Sequence, residues 1–266
     1  MDLVSLLGVI GGFAALIGAI MLEEHEIVGS GYLNIPGLVI IGVGSFCAAS
    51  ICYLPEHVKK FPTYCKLVFF HPNYEPGEII EQMIEFAQKA RREGLLSLEA
   101  DLEKIHDPFF KKGLQLVVDG IDPALIRAVL ETDTAGMEER HKIGENYLMA
   151  VGGIAPTMGI LGAIMGLAGA LAKMGGGDIM KTVNSLAIAF IASFYGVAVA
   201  NLVFIPMSTK LGTISKEEIF VREITITGVL SIQAGDNPRI VEERLRAFFP
   251  PTGFPVKAKE GAAPAK

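Results

Sequence analysis

Four long apolar stretches alternate with polar segments along the chain. They cover Leu3–Leu22, Tyr32–Leu54, Met149–Leu171 and Val183–Ile205, and none of them contains an acidic, basic or histidine side chain. A helix of about 20 apolar residues crosses the hydrocarbon core of a bilayer. We therefore predict four membrane-spanning helices, paired as one hairpin at the N-terminus and a second in the centre of the chain.

The polar segments carry helical rather than strand patterns. Apolar residues recur at helical spacing from Ile79 to Ala87, and Gly94 is expected to end that helix. Ser97 is predicted to begin a shorter helix that runs to Ile105. Since no alternating strand pattern appears, the predicted fold class is all-α: a membrane protein with four transmembrane helices and an all-helical cytoplasmic domain.

Two Asp-Pro pairs indicate further helix starts. Asp107–Pro108 and Asp122–Pro123 each place a capping carboxylate before a proline that suits the first helical turn. Gly120 is expected to end the first of these helices, and the second is expected to continue into the third span. Beyond the fourth span, helices are predicted over Lys216–Gln233 and Pro238–Phe249.

These patterns divide the chain into five segments. We predict a transmembrane hairpin over residues 1–54, a cytoplasmic helical domain over 55–147, a second transmembrane hairpin over 148–208, a cytoplasmic helical segment over 209–249 and a disordered tail over 250–266. Basic residues flank the spans beside the large polar segments, whereas the first short loop, Glu23–Glu26, has none. The positive-inside rule then predicts that both termini are cytoplasmic.

The central hairpin contains residues that a simple membrane anchor does not need. The third span carries Pro156 next to Thr157, and the fourth carries Ser193 and Tyr195 and is followed by Pro206. Four glycines follow the first proline at spacings of three and four: Gly159, Gly162, Gly166 and Gly169. Such spacing lets helix backbones approach closely in lipid. Two anchors with packing glycines are the simpler interpretation, but polar groups at bilayer depth are costly and usually functional.

The composition favours a membrane protein and argues against several other classes of function. The chain has 266 residues, 51% of them hydrophobic, with a mean hydropathy of +0.45, which fits a membrane protein with an aqueous part. The net charge of -6 and the dispersed basic residues argue against nucleic-acid binding. The three cysteines show no C-x-x-C spacing, and His25 among glutamates is more simply a solvated turn than a metal site. We expect no metal and no cofactor.

Signatures of catalysis are missing from the sequence. It contains neither H-E-x-x-H nor G-x-S-x-G, and its remaining histidines are scattered through the first cytoplasmic segment. The loop Lys173–Lys181, with Gly175–Asp178, lacks the phosphate-binding pattern and follows no predicted strand. An enzyme is therefore not the favoured class.

The lack of titratable groups in the spans indicates a shared channel. A proton relay normally needs an ionisable group at membrane depth, and this chain supplies none there. Hydroxyls both donate and accept hydrogen bonds, so Thr157, Ser193 and Tyr195 are candidates to line an aqueous path. The sequence predicts half a channel, with a carboxylate supplied by a partner helix.

Three separated motifs resemble the MotA family of flagellar stator subunits. Ala189–Ala198, which reads AFIASFYGVA, together with Pro206 resembles the family signature, although the family usually has Thr at the position of Ser193. Ala155–Thr157 resembles the family's proline at the entry of its third span, and Arg91–Glu99 resembles its rotor-facing stretch. The resemblance covers residues 1–250 and leaves the tail out.

The resemblance implies a complete functional assignment. Members of the family lie in the bacterial inner membrane and form a ring, thought to be pentameric, around two MotB helices. The membrane Asp of MotB binds the ion, and the ring turns the rotor protein FliG. By this resemblance Pro156 and Pro206 correspond to gating prolines, and Arg91 and Glu99 correspond to the rotor-facing charged pair.

Alternatives remain at this stage. An ExbB- or TolQ-like energiser of outer-membrane processes is the runner-up, disfavoured because those proteins typically have three spans. A non-conducting scaffold is a third class, which would tolerate Thr157→Val and Ser193→Ala. The coupling ion also stays open: sodium-driven relatives tend to have adjacent threonines at Ala192–Ser193, so the pattern favours protons slightly, while the remaining hydroxyl suits either ion.

Overall fold

The computed structural model describes residues 2–24, 35–72, 76–174 and 179–250, and every regular element in these ranges is helical. We number the α-helices in chain order and name the two other helices by type. The elements are α1 (Leu3–Glu24), α2 (Ile35–Ile51), α3 (Pro55–Val58), α4 (Phe61–Phe69), α5 (Pro76–Glu93), a 3-10 helix (Leu95–Lys104), α6 (Pro108–Val118), α7 (Pro123–Met174), α8 (Ile179–Val199), a π-helix (Ala200–Phe204), α9 (Ile205–Gln233) and α10 (Pro238–Arg246).

The all-α prediction is confirmed, with one short apolar helix. Among the described residues, three helices are long and apolar enough to cross a membrane, within Leu3–Leu22, Pro123–Ala172 and Ser185–Gln233. The fourth, α2, has 17 residues and thus rises roughly 26 Å. It is shorter than the predicted Tyr32–Leu54: residues 32–34 lie outside the described ranges, and 52–54 are not helical because Pro55 holds Leu54 in an extended conformation.

The short helix predicted from Ser97 to Ile105 is present, but it begins two residues earlier and ends one residue earlier. The structure has a 3-10 helix that begins at Leu95. Gly94, with φ +86°, ends α5 as predicted. Ser97 then donates its backbone N–H (3.2 Å) and its hydroxyl (2.7 Å) to the Gly94 carbonyl, three residues back, which is the spacing of a 3-10 turn.

Other helix ends differ from the predicted ones by a few residues. The loop predicted over Lys173–Lys181 is shorter, because α7 extends to Met174 and α8 begins at Ile179, and residues 175–178 lie outside the described ranges. Helix α10 ends at Arg246 instead of Phe249. Glu23 and Glu24 belong to α1, whereas the rest of the predicted acidic loop and the predicted disordered tail after Pro250 fall outside the described ranges.

The Asp-Pro start signals are confirmed. The Asp107 carboxylate accepts a hydrogen bond from the Phe110 N–H at 2.6 Å, and Asp122 accepts one from the Ala124 N–H at 2.9 Å. Gly120, with φ +71°, follows the end of α6. The second start leads into one uninterrupted helix of 52 residues, α7, as the pattern predicts.

The chain divides into two compact units. The first unit comprises residues 1–71 and 140–214, and the second comprises 72–139 and 215–266. The first contains α1, α2 and the glycine-rich parts of α7 and α8. The second is built around the buried side chains of α5, the 3-10 helix and α6, together with parts of α7, α9 and α10. The five-segment division into membrane and cytoplasmic parts stays a prediction, since compactness does not locate a bilayer.

Candidate functional site

Helices α7 and α8 touch through glycines in the first unit. A Cβ atom on Gly159 would lie 3.0 Å from the Ala192 carbonyl oxygen, and one on Gly166 would lie 2.7 Å from Ala189 Cβ. A Cβ on Gly162 would meet Ala192 Cβ at 3.0 Å. Gly169, by contrast, has no described neighbour within 4 Å of such an atom. Three of the four glycines predicted for helix packing therefore bring the two backbones together.

Gly196, which the sequence reasoning missed, makes the closest of these approaches. A Cβ atom there would lie 2.6 Å from the Ala155 carbonyl oxygen and 3.1 Å from Pro156 Cα. Both of these are backbone atoms, which cannot swing aside as a side chain can. The signal in the sequence was the position of this glycine in the fourth span, between Tyr195 and Val197. The third span, with which the fourth is paired, carries glycines at the spacing of close backbone packing.

Both predicted gating prolines lie where helical hydrogen bonding is interrupted. Pro156 sits inside α7 and has no N–H to give to the Gly152 carbonyl four residues back. Pro206 is the second residue of α9, and Ile205 separates it from the π-helix. The Ile205 N–H bonds to the Ala200 carbonyl, five residues back. Single π-turns inside α-helices frequently occur at functional sites. Apart from the proline, no residue in the sequence signals this turn.

The three predicted ion-path hydroxyls have different surroundings. Ser193 is half-buried between the helices and donates to the Gly159 carbonyl across them at 3.3 Å. Thr157 is exposed and donates to the Ile154 carbonyl of its own helix at 2.7 Å. Tyr195 packs on a small cluster of Ile41, Ala155 and Ala200. Thr157 alone is exposed on the surface of the single chain.

One face of α8 is apolar and exposed. Phe190, Phe194 and Val197 follow one another at spacings of four and three, and Phe190 is 67% exposed. Asn201 of the π-helix continues the same spacing. Asn201 satisfies its own amide by donating to the Val197 carbonyl at 2.9 Å. An apolar face of this kind suits lipid or another transmembrane helix and does not suit water.

The predicted rotor-facing charges lie in the second unit. Arg91 is exposed in the last turn of α5, and Glu99 is exposed on the 3-10 helix. Within the described part of the chain, neither side chain forms an ion pair or a hydrogen bond. They differ in this from neighbouring charges such as Lys89, which is paired. Among the described residues, no group of three or more His, Cys, Asp or Glu side chains is close enough to hold a metal ion.

The known proteins that resemble this chain include several motility proteins. Residues 101–224 match the model of the MotA/TolQ/ExbB proton channel family. Motility protein A of Borreliella burgdorferi is 40% identical over 252 residues, which cover 94% of this chain and 95% of that protein. Motility protein A of Bacillus subtilis is 35% identical over 99% of this chain and 96% of its own length. Chemotaxis protein PomA of Vibrio alginolyticus is 34% identical over 94% and 96%.

Solved structures agree with these relatives. A chain of the C. jejuni MotAB structure superposes with a TM-score of 0.89 at 27% identity, covering 97% of this chain and 99% of that one. A chain of the flagellar MotAB stator complex from Bacillus subtilis superposes with a TM-score of 0.85 at 34% identity, covering 93% and 96%.

Proposed function

Because this chain belongs to the MotA/TolQ/ExbB proton channel family and is an ion-conducting subunit of a flagellar motor stator, we propose how its residues divide the work of ion passage and torque. Its similarity to motility proteins over nearly its whole length leaves the ExbB- or TolQ-like alternative less supported. The family is one of channels, so we also propose that the chain catalyses no reaction.

The chain is an inner-membrane protein, and a MotB-type subunit is its partner in the stator. The partner helix supplies the membrane carboxylate that binds the ion. The observation that carries this proposal is the complete lack of acidic, basic and histidine side chains in the four apolar stretches. Since a proton relay normally needs a titratable group at membrane depth, that group comes from another chain. Both termini are cytoplasmic.

The moving part is the stretch of α7 and α8 around Pro156. The Gly196 contact presses the two helix backbones together beside a turn that lacks one hydrogen bond. The π-helix, which begins four residues after Gly196, and Pro206 form a second weakened point. Bending here changes how the subunit sits against the partner helix as the ion binds and leaves. Thr157, Ser193 and Tyr195 line the ion path.

The second unit transmits the movement to the rotor protein FliG. Arg91 and Glu99 are exposed charges of opposite sign without partners among the described residues, so they are available for an intermolecular contact. Charges at the rim of an interface steer and orient a partner more than they tighten the complex. Five copies of the chain form a ring around the partner helices and present five such surfaces in turn.

Ion flux into liposomes tests the shared channel. Three samples are compared: the purified chain alone, the complex with the wild-type partner, and the complex with the partner's membrane Asp changed to Asn. We expect flux only from the second sample. Selective flux from the chain alone would overturn the proposal.

The coupling ion is the proton. Ala192 and Ser193 leave a single hydroxyl at this point of α8, which suits proton passage through a hydrated path. Swimming speed is measured against external sodium concentration at fixed pH, in cells whose only MotA-type subunit is this chain. A speed independent of sodium is expected, and a speed proportional to sodium would contradict the assignment.

A further inference from the structure

The 3-10 helix is tied to α5 by a carboxylate. Asp101 Oδ2 lies 2.5 Å from the Lys89 ammonium of α5, and its Oδ1 lies 2.6 Å from the Lys104 ammonium of its own helix. The Asp101 side chain is 18% exposed and that of Lys104 is 76% exposed. The Lys89 contact, between less exposed groups of two different elements, is therefore the one that joins them.

Asp101 is ionised at cytoplasmic pH. Hydrogen bonds from Lys104 and from Lys89 lower the pKa of its carboxyl to about 2. The bridge therefore persists over the whole neutral range. The two ammonium groups contact the same carboxylate, so without its negative charge they would repel each other across the cleft of about 490 Å³ that they line.

The hydrophobic contacts of the 3-10 helix fix only its inner face. Leu98 and Leu102 are buried in the core of the second unit. Apolar contacts are not directional, and a 3-10 helix of ten residues is unusually long for a geometry with poor hydrogen bonds. The outer face of this helix therefore depends on a polar contact for its position relative to α5.

The bridge is close in sequence to both proposed rotor-facing charges. Lys89 is two residues before Arg91 on α5, and Asp101 is two residues after Glu99 on the 3-10 helix. We propose that Asp101 is a positioning residue, which holds Glu99 at a set place relative to Arg91 through its bridge to Lys89. This inference rests on the proposed rotor contact. Asp101 acts through the other two charges and does not itself meet the rotor.

If Asp101 only stabilised the fold, its substitution would reduce the amount of assembled stator and not the torque of each unit. Asp101→Asn keeps the size of the side chain and leaves the buried contacts of Leu98 and Leu102 intact, so the stator should remain folded and assembled. Asp133 offers a matched control, because it too is bridged by two cationic side chains, Lys112 and Arg222, in the same unit. It lies on α7, away in sequence from both rotor-facing charges.

The experiment measures torque per stator unit from the stepwise speed increments of single motors, with full-length chain and its natural partner. Asp101→Asn is expected to lose most of the increment at an unchanged number of units, and Asp101→Glu to retain most of it. Asp133→Asn is expected to keep the wild-type increment. A fall in the number of units with a normal increment for Asp101→Asn would overturn the positioning role.

A double-mutant cycle separates this inference from the proposed function. If Asp101 acts through Glu99, Asp101→Asn adds no further loss to Glu99→Gln. Fully additive losses would overturn the positioning role while leaving the rotor surface intact. Normal increments in both Arg91→Gln and Glu99→Gln would instead overturn the proposed rotor surface itself.

Discussion

The two compact units of this chain are held together by different means. In the first unit, helices meet backbone to backbone at glycines, as where Gly196 faces the Ala155 carbonyl. In the second unit, a core of aliphatic and aromatic side chains is edged by ion pairs, such as Lys112 with Asp133. The ion pairs described in the first unit, such as Asp2 with Lys210, lie outside its apolar stretches.

The proposed division of ion passage and torque between the two units accounts for this difference. A subunit whose spans carry no charge must pack by shape, because lipid offers no hydrophobic drive for helix association. A domain that transmits force through charged contacts can pair most of its charges and keep a few unpaired. The first unit should therefore be sensitive to added volume, and the second to changes of charge.

The largest effect is expected from Gly196→Val. Its side chain would clash with the backbone at Ala155 and Pro156, and overpacking costs about 1–3 kcal/mol even where side chains can yield. We predict loss of both swimming and ion flux. Gly169→Val is the matched control, since a Cβ there meets no described atom within 4 Å, and it should remain motile. Equal loss of motility in both variants would contradict the predicted sensitivity of the close helix contact to added volume.

Pro156→Leu should separate stability from function. Leucine restores the N–H that the Gly152 carbonyl lacks, and proline inside a helix costs about 3 kcal/mol. We predict a complex that assembles and melts at a higher temperature but does not drive swimming. Pro123→Ala, at the tolerated first turn of α7, should change neither property greatly. Normal motility of Pro156→Leu would remove the hinge from the account.

A smaller effect is expected at Tyr147, which is fully buried in the first unit. Its hydroxyl lies 2.8 Å from Ser50 Oγ, and its ring packs edge-on against Phe46, Tyr53 and Phe61. Tyr147→Phe removes only the hydrogen bond, worth about 1 kcal/mol. Thermal melting of the purified complex should fall slightly. A loss as large as that of Tyr147→Ala would mean that the hydroxyl, and not shape, holds this cluster.

The smallest effect concerns Asp2, which caps α1. Hydrogen bonds from Lys210 and Ser5 hold the pKa of the Asp2 carboxyl well below its usual value near 3.8. A depressed pKa contributes stability that is complete above the ordinary value and is lost as the pH falls through the folded value. The His71 ring, whose Nε2 lies 3.8 Å from Asp2 Oδ2, is replaced in both proteins by His71→Gln, so that its own titration does not contribute. In that background the melting difference between Asp2 and Asp2→Asn should be constant from pH 5 to pH 8 and shrink under strong acid. A difference that changes near neutral pH would contradict this.

Local signals in the sequence predicted much of the fold. Apolar length located the long apolar helices, and the capping residues Asp107 and Asp122 located two helix starts. The glycines of the third span, such as Gly159, were identified because their spacing places them on one face. Each of these features depends on residues that are close together along the chain.

Features that depend on pairs of distant segments were missed. Gly196 is critical only because Ala155 lies against it, and Asp101 matters only because Lys89 faces it from another helix. The π-helix before Pro206 depends on the backbone register of α8 and has no side-chain signature. The short α2 was overestimated because hydropathy does not show where Pro55 forces the chain to turn.

We have proposed that the first unit conducts the ion together with its partner helix and that the second unit transmits torque. This claim is tested most directly by measuring ion flux and torque per unit in the same stators carrying Arg91→Glu with Glu99→Lys. We predict near-normal flux with little torque. Equal loss of flux and torque would contradict the claim.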